Sequence, residues 1–275
     1  MASRTVVCTL FLLGLGRAAT AQIVDHRHVE GVTALPQSVM NAVGQQRWFF
    51  THASVGANMV QGMNDLNTAD STRYQLVTSG VTYLDAEMRA DDPPATPAAG
   101  TIYESDRGNP GWAAKLTIFD NSVQISGWRA PTVDVVMNKM CFVDQDAVAA
   151  DYIASMAALQ SSYPRTAFVY TTMPLRIEED VDNFLRNQYN AAVRSHCAAG
   201  GWLLFDIADM EAWDPTGVQH TFQYLGRTYQ KLYAGYTDPT DGGHLDAAGQ
   251  ERIAHGWYAM AAVLATDPIF ANGFE

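Results

Sequence analysis

The chain has 275 residues, 48% of them hydrophobic and 17% charged, with a formal net charge of −12. That length suits one large domain with a substantial core, and no Gly/Ser or Pro linker divides it. The acidity argues against a nucleic-acid surface or an anionic membrane as partner.

Residues 1–21 read as a secretory signal: Arg4 in a basic start, an apolar run from Val6 to Leu15, and Ala19-Thr20-Ala21 before the expected cleavage. Removing it takes Arg4 and Arg17 from the 17 basic residues, and against 29 acidic ones the net charge becomes −14. The apolar run is too short to span a bilayer as a mature helix, and no later stretch is long enough. The expectation is an exported protein without a membrane span. Residues 22–46 form a lead-in, residues 47–266 the main domain, and residues 267–275, opened by Pro268, a C-terminal tail.

An aromatic, β-favouring run from Trp48 to Thr51 stops at His52-Ala53-Ser54, and a helical pattern follows. Such a strand–turn–helix corner lifts one side chain, Ser54, off the carboxyl end of a strand, where open α/β sheets place their ligands. Its amide falls at the first helical turn, where free N–H groups favour negative charge. Ser54 is also a good N-cap, the commonest job for a serine before a helix.

Further along, Gly56–Leu66 is helical, with Met59, Met63 and Leu66 on one face, and Tyr74–Thr78 forms a strand. Residues 91–100 make a Pro/Ala loop, and Arg107–Trp112 a second turn cluster before a helix over Ala113–Phe119. Val133–Val143 reads as a buried, central strand. Helices over Asp146–Leu159 and Glu178–Ala198 alternate with strands over Thr166–Thr171 and Trp202–Phe205, which implies a parallel sheet covered on both faces. The pattern lapses from Asp209 to Thr240, a stretch holding Trp213, Phe222, Tyr224, Tyr229, Tyr233 and Tyr236. A last helix covers Asp246–Leu264. Export permits a disulfide between Cys141 and Cys197, although both positions suit small core residues.

Just before that helix stands Asp241-Gly242-Gly243-His244. An Asp three residues before a His in a Gly-rich turn can set its carboxylate behind the imidazole, leaving the other ring nitrogen outward. That is the orienter-and-base half of a nucleophilic triad. Taken alone it is equally an ordinary turn. In a doubly wound sheet, however, both motifs reach the same carboxyl edge.

Ser54 after the first strand of the alternating pattern, with Asp241-x-x-His244 before a C-terminal helix, resembles the SGNH (GDSL-like) hydrolase superfamily. The blocks at 52–56, 139–144 and 241–245 look like an uncharacterised bacterial branch of it. The resemblance implies a three-layer α/β/α sandwich with a mainly parallel, flavodoxin-like sheet, and hydrolysis of O-acyl carboxylic esters. The stretch from Asp209 to Thr240, rich in aromatic rings and poor in aliphatic bulk, points to short acyl chains. The resemblance makes Ser54 the nucleophile, His244 the base and Asp241 its orienter. The chain departs from the pattern twice. His52-Ala53 replaces the Gly-Asp before the serine, and Val143 stands where the third block has its oxyanion Asn. Gly108 and Gly111 are then the candidate amide donors, with Asn109 and Asn138 as side-chain candidates and His52 as a residue able to line the site. The incomplete pattern also fits a non-catalytic carbohydrate-binding protein. The aromatic stretch before Asp241 suits a glycan ester or another small ester as partner. The remaining histidines show no metal-ligand spacing and no Gly-rich phosphate loop follows a strand, so neither a metal nor a nucleotide cofactor is expected. Nothing in the sequence fixes the oligomeric state.

Overall fold

The computed structural model describes residues 22–266; the signal-like segment and the tail lie outside the described residues. The chain forms, in order, β1 (Gln22–Val24), α1 (His26–Val29), α2 (Gln37–Val43), β2 (Arg47–His52), α3 (Val55–Ala69), β3 (Val77–Gly80), β4 (Tyr83–Leu84), β5 (Arg89–Ala90), β6 (Thr101–Asp106) and α4 (Trp112–Asn121). There follow β7 (Val135–Asn138), α5 (Ala149–Ser162), β8 (Ala167–Thr171), α6 (Val181–Gly200), β9 (Leu203–Phe205), α7 (Ile207–Ala212), β10 (Thr221–Tyr224), β11 (Arg227–Gln230) and α8 (Ala247–Thr266).

Seven strands form one sheet in the order β1-β9-β8-β7-β2-β6-β3, with every pair parallel. The chain leaves β2 toward β3 and β6 on one side, then builds β7, β8 and β9 on the other. The order reverses at β2, the kind of place where α/β sheets open a crevice. The lead-in is woven into this domain: Gln22–Val24 is the outer strand beside β9.

Alternation along β2 builds both cores. Trp48 and Phe50 face the layer of α2, α3 and α8, where Phe50 meets Trp257 edge-on at 5.0 Å. Phe49 faces the layer of α4, α5 and α6 and stacks on Trp128 at 4.5 Å. The strand expected over 133–143 is shorter. Asp134 is held by the Arg47 amide and guanidinium, and beyond Asn138 the chain leaves the ladder for a loop. Cys141 and Cys197 are buried free thiols; Cys197 packs among the α5/α6-side residues, whereas the Cys141 thiol donates to the Ala53 carbonyl at 3.3 Å.

One crossing sets the site. A Cβ on Gly62 of α3 would lie 2.3 Å from the Gln250 carbonyl oxygen of α8, so only glycine permits so close an approach. A turn earlier, the Asn58 side chain accepts from the Leu245 amide at 3.1 Å. The contacts 58–245 and 62–250 advance together, so the two helices run in the same direction. Their leading loops, which carry Ser54 and His244, therefore arrive at the same end.

Candidate active site

Ser54 sits between β2 and α3 with φ 57° and ψ −117°, in the positive-φ region that a residue with a Cβ rarely adopts. A non-glycine held there costs on the order of 1–3 kcal/mol and persists only where the surroundings over-determine it. Here Ala53 and Val55 are buried on either side, and Gly56 rests on His52 so closely that a Cβ would stand 2.3 Å from the His52 Cβ. The hydroxyl makes no capping bond, although the residue occupies the N-cap position. It turns instead to His244, with Oγ 2.6 Å from Nε2. Among the described residues the Ser54 amide has no acceptor.

His244 lies in the turn before α8. Its Nδ1 is 2.8 Å and 3.0 Å from the two Asp241 carboxylate oxygens. Asp241 also accepts from the His244 amide at 2.7 Å and the Gly243 amide at 3.1 Å. These bonds, the His244 amide first, hold the Asp241 carboxyl below the usual carboxylate range. An ionised carboxylate only accepts, so Nδ1 carries the proton and the Nε2 lone pair faces the Ser54 hydroxyl. Asp241 is thus both the turn former and the group behind the imidazole.

The turn is supported from outside. Arg176 donates to the Asp241 carbonyl at 2.7 Å, the Ile177 amide to the Gly242 carbonyl at 3.0 Å, and Thr237 Oγ1 to the His244 carbonyl at 2.6 Å. The Phe142 ring lies edge-on to the imidazole at 5.1 Å. Beneath Arg176, the Leu175 amide donates at 2.7 Å to Glu211, whose carboxyl burial pushes up to about 8. The spacing along the chain gave no sign of Arg176, Asn58 or Glu211, because each acts across a long chain separation, nor of Thr237, whose bond to a backbone carbonyl seven residues on follows no motif.

The five further candidates separate clearly. Gly108 and Gly111 both have positive φ, which is why glycine stands there. The Gly108 amide is engaged by Asp106 at 2.9 Å, whereas the Gly111 amide has no acceptor among the described residues. Asn109 is exposed between them, its Oδ1 accepting from Lys115 Nζ at 2.7 Å. Asn138 is fully buried, its Oδ1 taken by Thr51 and Arg107, so it belongs to the floor and not the open site. His52 is 2% exposed and turned into the core; it stacks on Phe50, and its Nε2 donates to Glu104 at 2.6 Å. Burial lowers its pKa, as expected for an imidazole kept neutral inside a core. The structure does not bring it to Ser54, and the period of two along β2 explains why: His52 shares a face with Trp48 and Phe50. Val143, at the position of the missing Asn, is 48% exposed and its side chain offers no donor.

The aromatic stretch folds mostly onto itself. Phe222 and Tyr236 are buried, Trp213 stacks on His26 at 4.0 Å, Tyr224 and Tyr229 pack on Phe184, and Tyr233 lies on His220 and Tyr236. The aromatic stretch read as suited to a glycan ester is therefore largely used for internal packing. A cavity of about 390 Å³ lined by Arg47, Asp134 and Leu264 opens at the opposite, amino end of the strands.

No protein-family model matches the chain, and no curated protein sequence matches it. Among solved structures it is similar to a GDSL-like lipase from Bacteroides thetaiotaomicron, with TM-score 0.47 and 12% identity over 83% of this chain and 92% of that one. It is similar to LAE5, an α/β hydrolase from the metagenome of Lake Arreo, with TM-score 0.48 and 14% identity over 78% of this chain and 94% of that one. An acetylxylan esterase from Geobacillus stearothermophilus gives TM-score 0.44 and 13% identity over 78% and 94%. The chemistry of the site rests on its own geometry, not on these likenesses.

Proposed function

We propose that the protein is an exported serine hydrolase that cleaves short-chain carboxylic esters. The observation that carries this reading is the relay from Ser54 Oγ to His244 Nε2 at 2.6 Å and from His244 Nδ1 to Asp241 at 2.8 Å. Ser54 Oγ attacks the ester carbonyl while His244 takes its proton. The imidazolium, steadied by Asp241, then protonates the departing alcohol. Water, activated by the same imidazole, releases the acid and restores Ser54. The free amides of Ser54 and Gly111 are the backbone donors for the tetrahedral oxyanion.

The acyl group in this reading is short, because the stretch from Asp209 to Thr240 beside the Asp241–His244 turn has little aliphatic bulk. The alcohol side is a small molecule or a neutral glycan, since a chain of net charge −12 repels polyanions at long range. Hydrolysis of p-nitrophenyl acetate, a longer acyl series and acetylated oligosaccharides tests this directly. Ser54→Ala should abolish acetate release while leaving the melting transition in place. A maximum with long-chain esters overturns the substrate assignment; folded wild-type protein with no turnover of any ester favours the binding-protein reading.

A further inference from the structure

Val143 leaves the site without the side-chain oxyanion donor that a third-block Asn would supply, so the remaining polar groups near Ser54 matter. The fully buried Lys115 ammonium lies 2.5 Å from Asp144 Oδ2 and 2.7 Å from Asn109 Oδ1. The same Asp144 oxygen accepts from the Cys141 amide at 2.7 Å, and the Cys141 thiol donates to the carbonyl of Ala53, the residue before Ser54. On the other side, the Arg107 amide donates to the His52 carbonyl at 2.9 Å. The loops after β2, β6 and β7 are thereby tied into one unit, in which Asn109 carries an exposed side-chain amide.

The chemistry of the ammonium decides which way that amide points. Lysine has three donors and no acceptor, so the atom of Asn109 facing it must be the carbonyl oxygen. The NH₂ group is then forced to the opposite side, where it has no protein acceptor among the described residues. A buried ammonium is costly unless paired, and Asp144 supplies the pair. The ion pair is therefore a rigid mount whose exposed end is an oriented donor.

We propose that Asn109 Nδ2 is the side-chain donor to the oxyanion, and that Lys115 and Asp144 are positioning residues that aim it. This rests on the serine-hydrolase reading and deepens it. Without Lys115 the Asn109 amide is free to rotate and present its oxygen to the developing negative charge.

The test uses the full chain with p-nitrophenyl acetate. Asn109→Asp keeps an oxygen for Lys115 but removes the donor. It should lower kcat by about 10²–10³, the usual cost of one oxyanion donor, with KM little changed and no loss of melting temperature. Lys115→Met combined with Asp144→Asn removes the mount without stranding a charge, and should lower kcat at least tenfold. In an Asn109→Ala background the same pair of changes should have no further effect, because coupled residues are not additive. Asn109→Asp and Asn109→Ala both within threefold of wild-type kcat overturn the proposal. An equal loss from the Lys115/Asp144 pair with and without Asn109 also overturns it, by making the pair purely structural. Full activity of Ser54→Ala would instead defeat the underlying hydrolase reading, so the two failures are distinguishable.

Discussion

The Ser54 corner and the Asp241–His244 turn meet at one 2.6 Å contact but are built in opposite ways. The corner is held by packing: its neighbours Ala53, Val55 and Gly56 are buried, and its positive φ is fixed by the crowding of Gly56 on His52. The turn is held by hydrogen bonds from Arg176, Ile177 and Thr237, and its Asp and His side chains are 40% and 44% exposed. Steric constraint fixes the backbone of the Ser54 corner, while polar constraint leaves the Asp241 and His244 side chains open to solvent. The consequence is that the two halves should fail differently.

The largest effect is expected on the turn. Asp241→Asn keeps the shape but, as an amide, no longer requires Nδ1–H or stabilises the imidazolium. It should lower kcat by roughly 10³–10⁴ while the melting temperature changes little. Ester hydrolysis and a thermal melt on the same preparation check this, and a loss of less than tenfold would break the distinction. The next effect falls on the corner. Gly56→Ala puts a methyl group against the His52 Cβ, costs about 1–3 kcal/mol of stability as overpacking does, and displaces Ser54, so activity and stability should fall together. Chemical denaturation with kinetics reads both.

The smallest effect sharpens the comparison under the turn. The Glu211 carboxyl, raised to about 8 by burial, is protonated in the folded protein and ionised in the unfolded one between about 4.5 and 8. The folded state binds the extra proton across that window, so Glu211's contribution is complete below the unfolded pKa and is lost as pH rises toward 8. Glu211→Gln should flatten the decline in melting temperature between pH 5 and 8. An unchanged slope would show that Glu211 does not hold a raised pKa in the folded protein.

The sequence showed the corner as a strand–turn–helix break and the turn as a compact Asp-Gly-Gly-His. Each alone also reads as an ordinary cap or turn, and what paired them was the shared carboxyl edge of an alternating α/β pattern. The alternating helices and strands on the β7 side were legible because each is local. Thr101–Asp106 and Gln22–Val24 were not, since one is a short run ending in Glu-Ser-Asp after a Pro/Ala loop, and the other pairs with residues 203–205. Among the site residues, the choice between Gly108 and Gly111 depends on where Asp106 points, and His52 fell on the core face. The link from Asp144 through Lys115 to Asn109 joins two loops through helix α4, and no spacing along the chain announces it.

The central claim is that Ser54 is a nucleophile activated by His244. A fluorophosphonate probe followed by peptide mass mapping measures it most directly. A single adduct on the Ser54 peptide is predicted, absent from Ser54→Ala and formed at least a hundredfold more slowly in His244→Ala. Labelling that persists in Ser54→Ala, or folded wild-type protein that takes up no probe, would contradict the account.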